Sequence, residues 1–208
     1  VNRAPATALP TFATCLAAAL GLFLAGGLPY AGGLSLLTPL PVAFCYHRGR
    51  LPGLAVALAG ALVVSLPSEG ESRTVALIFL ELAAGGVVLG ELLRRGFGPE
   101  ATLSLGLPGM LLVSGAVFLA HAAVEGQPPG VLAQAYTDQT LAEVRQNLTE
   151  LGYGSPQEIE TTLRGLLRLL PAVLSIMAGA IFALNLAVAR RFFPALGEKL
   201  AEWPSFRL

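Results

Sequence analysis

The sequence predicts an all-α fold, a polytopic membrane helical bundle of about six transmembrane helices with one outer amphipathic helix, and three observations carry that reading. The first is composition: of 208 residues, 54% are hydrophobic and 12% charged, with mean hydropathy +0.69, whereas soluble domains carry about 25% charged residues. Too few charged side chains remain to cover a water-facing exterior. The second is the recurrence of apolar segments near the roughly 20 residues a helix needs to cross hydrocarbon. The third is the placement of basic residues between those segments.

The apolar segments run from about Leu9 to Leu28, Gly33 to Tyr46, Leu51 to Leu66, Arg73 to Leu93, Ala101 to Ala122 and Leu166 to Ala189. The second and third are short, so a hairpin that dips into the membrane and returns is an alternative for that pair. With the N-terminus inside, the inner face receives Arg3, Arg48, Arg50, Arg94, Arg95, Arg190, Arg191, Lys199 and Arg207. Arg73, Arg145, Arg164 and Arg168 fall outside, beside Glu69, Glu71, Glu125, Asp138, Glu143, Glu150, Glu158 and Glu160. Six crossings with both termini cytoplasmic satisfy the preference for positive charge inside.

Residues 1–208 read as a single transmembrane domain, because no polar linker separates two soluble folds. Within it, 125–168 form an extracytoplasmic amphipathic insertion and 190–208 a cytoplasmic tail. Leu141, Val144, Leu148 and Leu151 recur at helical spacing along one face of the insertion. Gly152 to Gly154 end that helix. Ser155, Pro156 and Glu158 have the pattern of a helix start, and the new helix is expected to enter the sixth span with a kink at Pro171.

Composition also excludes function classes. Thirteen Lys+Arg against thirteen Asp+Glu gives no basic field for nucleic acid. HExxH, CxxC, the P-loop and GxSxG are all missing from the sequence, which argues against an enzyme. Ser114 and His121, seven residues apart on one helix, lie two turns from each other. Cys15 and Cys45 fall toward the cytoplasmic half, where a structural disulfide is not expected. No cofactor or metal is expected.

Several residues stand out against their apolar surroundings. Glu81 lies inside the fourth span, where a carboxylate costs several kcal/mol unless it meets a cavity, a partner or interfacial water, and it is a candidate ligand contact. Asn185 in the sixth span needs hydrogen-bond partners and is either a second ligand contact or a bridge between helices. Ala13 with Ala17, and Gly86 with Gly90, place small residues one turn apart, which suits close helix packing or a partner subunit. Glu91 precedes Arg94 and Arg95 by three and four residues, the spacing of a local ion pair at the inner surface. Pro39-Leu40-Pro41 and Leu107-Pro108-Gly109 put helix breakers in spans two and five.

Pro39-Leu40-Pro41-Val42, followed by a short basic turn and a Gly/Ala-rich span, resembles the YybS-like DUF2232 family of bacterial membrane proteins. So do Leu170-Pro171-Ala172-Val173-Leu174, Asn185, Arg190-Arg191 and the closing Trp203-Pro204-Ser205-Phe206-Arg207-Leu208. The resemblance implies a fold similar to the substrate-binding S components of energy-coupling-factor transporters. It further implies a ligand near the outer face, and small residues of the first helix, here Ala13 and Ala17, against an energising subunit. The expectation is a small-solute-binding transporter component in the bacterial cytoplasmic membrane, with the lipid bilayer and an energising subunit as partners. The alternative is a membrane scaffold or assembly factor with no transported ligand.

Overall fold

The computed structural model describes residues 8–26, 28, 32–66, 72–150 and 169–195. The expectations placed on Glu69, Glu71, Leu151, the Ser155 helix start, Arg164, Arg168 and the tail beyond residue 195 lie outside the described residues. Among those described, the regular structure is helical throughout, without a strand. Helix α1 spans Ala8–Ala25, a 3₁₀ helix Gly32–Leu37, α2 Pro39–Arg48, α3 Arg50–Ser65, α4 Ser72–Arg94, α5 Pro99–Glu125, α6 Pro129–Glu150 and α7 Leu170–Ala195. The chain divides into two compact units, residues 1–114 with 178–208 and residues 115–177.

Among the described residues, three helices are long and apolar enough to cross a membrane. They are Val75–Arg94, Pro99–Glu125 and Ser175–Pro194, with mean hydropathy 2.0, 2.0 and 1.5. Thr11–Ala25 and Arg50–Ser65 are shorter apolar helices. The expected second span is not one α-helix. Pro39 and Pro41 lack N–H groups, so the carbonyls of Ser35 and Leu37 have no α-helical donor four residues on. The chain answers with a tighter turn in which the Thr38 N–H donates to the Ser35 carbonyl at 3.0 Å, and α2 begins with proline in its first turn. Ten residues rise about 15 Å, half the roughly 30 Å of a hydrocarbon core.

Pro108 does not interrupt α5, which is continuous across it. Pro171 stands in the first turn of α7, so the kink expected there would fall where the preceding residues are not described. Helix α7 also runs past Arg190 and Arg191 to Ala195, with Phe193 buried.

In the first unit α2 is the packing centre, and glycine brings its neighbours close. Gly86 of α4 lies against the Pro39 carbonyl and Val42, and Gly90 against the Ala43 carbonyl and Tyr46. Gly53 of α3 lies against Tyr46, and Gly60 against the Phe79 ring. Van der Waals contact drives helix association where lipid removes the hydrophobic drive, so removing side chains at the crossing is the available route to tight packing. Two apolar clusters result, one around Cys15, Val42, Val56 and Phe79, the other around Ala43, Leu89, Met110 and Phe182.

Large apolar side chains go the other way. On α3, Leu51, Leu58 and Leu62 are 79%, 65% and 63% exposed. Their exposure on the helix whose glycines are buried is the arrangement of a chain solvated by hydrocarbon rather than water.

Helix α4 ends in a Schellman motif. Gly96 has φ 74°, its N–H donates to the Leu93 carbonyl at 3.0 Å and the Phe97 N–H to the Leu92 carbonyl at 3.3 Å, a left-handed turn that favours glycine. At the same end of α4, Glu91 accepts from Arg95 Nε at 2.7 Å, as the spacing predicts, and from Arg50 Nη2 at 2.6 Å. Arg50 thereby ties the α2–α3 turn to α4.

In the second unit, Gly126 (φ 65°) closes α5 with the same motif, the Gln127 N–H donating to the Ala122 carbonyl at 3.1 Å. His121 Nε2 and the Tyr136 hydroxyl are 2.8 Å apart, joining α5 to α6. Leu141, Val144 and Leu148 are partly buried while Ala142, Arg145, Gln146 and Asn147 are exposed, the one-sided pattern of an amphipathic helix.

Candidate functional site

In the first unit, α1 and α2 run antiparallel. The Cys15 and Cys45 thiols are in hydrogen-bond contact, and ten residues earlier in α2's direction Ser35 lies against Gly26, just past the end of α1. Moving from Cys45 to Arg48 therefore matches moving back from Cys15 to Thr11. Beside this pair, the last turns of α7 complete a cleft of about 630 Å³, within the range of small-molecule sites.

The wall from α1 is a single stripe of Thr11, Thr14, Cys15, Ala18 and Leu22, spaced three and four apart as one helical face requires. The 3₁₀ segment and α2 add Leu37, Leu40, Pro41, Phe44 and Arg48. Val188, Phe192 and Phe193 come from α7. Three aromatic rings fix the mouth near Arg48: the Phe44 and Phe193 rings meet edge to face at 5.1 Å, and His47 lies 6.2 Å from Phe193. The Arg48 guanidinium sits 4.7 Å over the Phe44 ring, a cation–π contact that holds the charge at the cleft wall.

The residues singled out in the sequence do not converge on this cleft. Asn185 is 1% exposed, and its Nδ2 donates to the Leu36 carbonyl at 2.8 Å and to the Ile181 carbonyl at 2.8 Å. Two carbonyls on one terminal atom identify that atom as the amide nitrogen. Asn185 stands behind the wall, next in chain to neither lining residue but one turn before Val188, while Leu36 precedes Leu37.

Glu81 lies elsewhere, on an exposed face of α4, where Ser114 Oγ donates to its Oε1 at 2.6 Å. Glu81 and Asn185 are thus in separate places, and neither lines the cleft. Ala13 and Ala17 are exposed on α1, adjacent in sequence to Thr14 and Ala18 of the cleft wall. Gly86 and Gly90 are buried against α2. Among the described residues no cluster of three or more His, Cys, Asp or Glu side chains is arranged to hold a metal ion.

The profile of a family described as "Predicted membrane protein (DUF2232)" matches residues 15–208. The chain belongs to the DUF2232 family. Comparison with curated proteins and with solved structures gave no match. The matched stretch of this DUF2232 protein takes in every cleft-lining residue from Cys15 onward, and it includes the exposed leucines of α3.

The cleft residues that sequence reasoning missed are Thr11, Thr14, Phe44, Phe192 and above all Arg48. The DUF2232 chain does carry one signal for them. Thr11, Thr14 and Ala18 recur at spacings of three and four, so two hydroxyls and a methyl group share one face of an otherwise apolar α1.

Proposed function

We propose that this protein binds a small solute in the α1–α2–α7 cleft and acts as the binding component of a transporter, without catalysis of its own. With the termini inside, the Thr11, Arg48 and Phe192 end of the cleft lies toward the inner face, unlike the outer-face ligand that the resemblance to S components implies. The observation that carries the reading is the cleft itself: about 630 Å³, walled by aliphatic and aromatic side chains with two hydroxyls and one guanidinium, which is the make-up of a ligand site. Exposed Ala13 and Ala17, one turn apart on α1, offer a flat strip on which an energising subunit can dock by close helix contact. The site would lie in the bacterial cytoplasmic membrane with both chain termini cytoplasmic, which sets Arg48, Arg50, Arg94, Arg95, Arg190 and Arg191 on the inner side.

Native mass spectrometry of the full chain, extracted in a mild uncharged detergent, tests this. The wild type retains a small-molecule adduct, and Ala18→Trp, which fills the cleft from α1, loses it while keeping the helical signal of the wild type. An adduct retained equally by both proteins, or by neither, contradicts the reading.

A further inference from the structure

We infer that Cys15 and Cys45 form a two-coordinate site for copper(I), a soft monovalent cation held in line between their sulfurs. The inference goes beyond the solute reading and does not need it, since it rests on the two thiols and not on the volume of the cleft.

The chain has two cysteines, one on α1 and one on α2, and their thiols are in hydrogen-bond contact. Both are free and buried, Cys15 at 5% and Cys45 at 1% exposure. Each is carried by the interior of a regular helix, and both pack with Ala19, Val42 and Val56 in one apolar cluster. The sulfurs are therefore brought together by the helix pair itself, in surroundings that offer a metal ion few competing oxygen ligands.

The donor set selects the ion. Thiolate sulfur favours soft ions, among them copper(I), zinc and the iron–sulfur clusters. Structural zinc takes four ligands and so do iron–sulfur clusters, whereas among the described residues no three His, Cys, Asp or Glu side chains are grouped to hold a metal. Copper(I), with a filled d shell, is satisfied by two sulfurs in line. Metal–sulfur bonds of roughly 2.3 Å set in line hold the sulfurs about 4.5 Å apart. Thiols already in contact reach that spacing by a small rotation of their side chains.

Binding exchanges one copper(I) for the two thiol protons, which leave by way of the cleft that Cys15 lines. Copper keeps its oxidation state, and two thiolates on one monovalent cation carry a net negative charge. Arg48, one turn beyond Cys45 on α2, acts electrostatically on both sulfurs, and in a medium of low dielectric a positive charge at that distance offsets the complex. That action leaves the stacking of Arg48 on Phe44 in place.

The test uses the full chain in uncharged detergent, kept anaerobic, with copper(I) presented as its coloured bicinchoninate complex. The wild type withdraws one copper(I) per chain from the chelator. Cys15→Ser and Cys45→Ser each lose that uptake while keeping the helical circular dichroism of the wild type, and an equal concentration of zinc does not compete. X-ray absorption at the copper edge, which needs no variant, then shows two sulfur neighbours and no nitrogen or oxygen.

No uptake by the wild type overturns the inference, and so does uptake unchanged in either serine variant. A copper centre with three or more neighbours, or with zinc displacing it, overturns it as well. The small-molecule adduct of the solute reading is measured separately, and its absence leaves the copper result standing.

Discussion

Asn185 Nδ2 lies 2.8 Å from the Leu36 carbonyl oxygen, joining residues 149 apart in the chain. The bond runs from α7 to the 3₁₀ turn that precedes α2, and each end sits beside a wall of the cleft, Val188 on one side and Leu37 on the other. Asn185 therefore sets the spacing of the walls without touching what they hold. Its second bond, to Ile181, keeps the amide in the plane that reaches Leu36.

Replacing Asn185 with Leu removes that tie and leaves the Leu36 carbonyl without its amide donor in an apolar site. Hydrogen bonds between membrane helices average about 0.6 kcal/mol, with about 1.7 kcal/mol at the upper end, so a loss of that order is expected. Thermal unfolding in detergent, followed by circular dichroism, measures it. An unchanged midpoint would show that the amide does not hold the turn.

Gly86 and Gly115 form a paired prediction. A methyl group on Gly86 meets the Pro39 carbonyl and Val42, whereas one on Gly115 meets nothing within 4 Å. Gly86→Ala is expected to destabilise by about 1–3 kcal/mol, as overpacking does. Gly115→Ala is expected to be neutral or to stabilise by up to about 1 kcal/mol through helix propensity. Equal effects in the same unfolding assay would contradict the α2–α4 contact.

Glu81 hydrogen-bonds Ser114 across α4 and α5 and does not line the cleft. Glu81→Gln and Ser114→Ala should each leave cleft binding as in the wild type. Native mass spectrometry that shows the small-molecule adduct lost from Glu81→Gln would put the carboxylate back into the binding site.

Cys15 and Cys45 provide a chemical ruler for α1 against α2. Their thiols touch, so one mercuric ion bridges both, and neither should then react with maleimide after denaturation. In Cys15→Ser or Cys45→Ser, brief washing with excess small thiol frees the remaining sulfur for labelling, whereas the bridged pair resists longer. Equal release from the pair and the single variants would mean that the two helices are not in contact there.

Three of the six expected spans, Val75–Arg94, Pro99–Glu125 and Ser175–Pro194, were legible as long apolar helices, because burial in lipid asks for apolar or small residues at nearly every position over about twenty residues. Pro39 and Pro41 were visible as helix breakers. What they do, dividing the second apolar segment at Thr38 into a 3₁₀ turn and a ten-residue helix, depends on where Asn185 stands to take up the Leu36 carbonyl.

The pairing of Glu81 with Ser114 was hidden for a similar reason, since the register of α4 against α5 is set by the turn at Gly96 and by contacts such as Gly85 with Met110. Arg48 looked like one of several basic loop residues. Its place on a cleft wall appears only when α1, α2 and the end of α7 are brought together, and no local pattern encodes that meeting.

The account depends most on hydrocarbon lying against the row of leucines on α3 while glycines face inward. A nitroxide placed at Leu58, one residue at a time compared with Leu51 and Leu62, in the full chain reconstituted in bilayers, reads this through collisions with oxygen and with a water-soluble nickel chelate. High oxygen and low nickel accessibility at Leu58 is the predicted result. High nickel accessibility there, as for a water-exposed site, would contradict it.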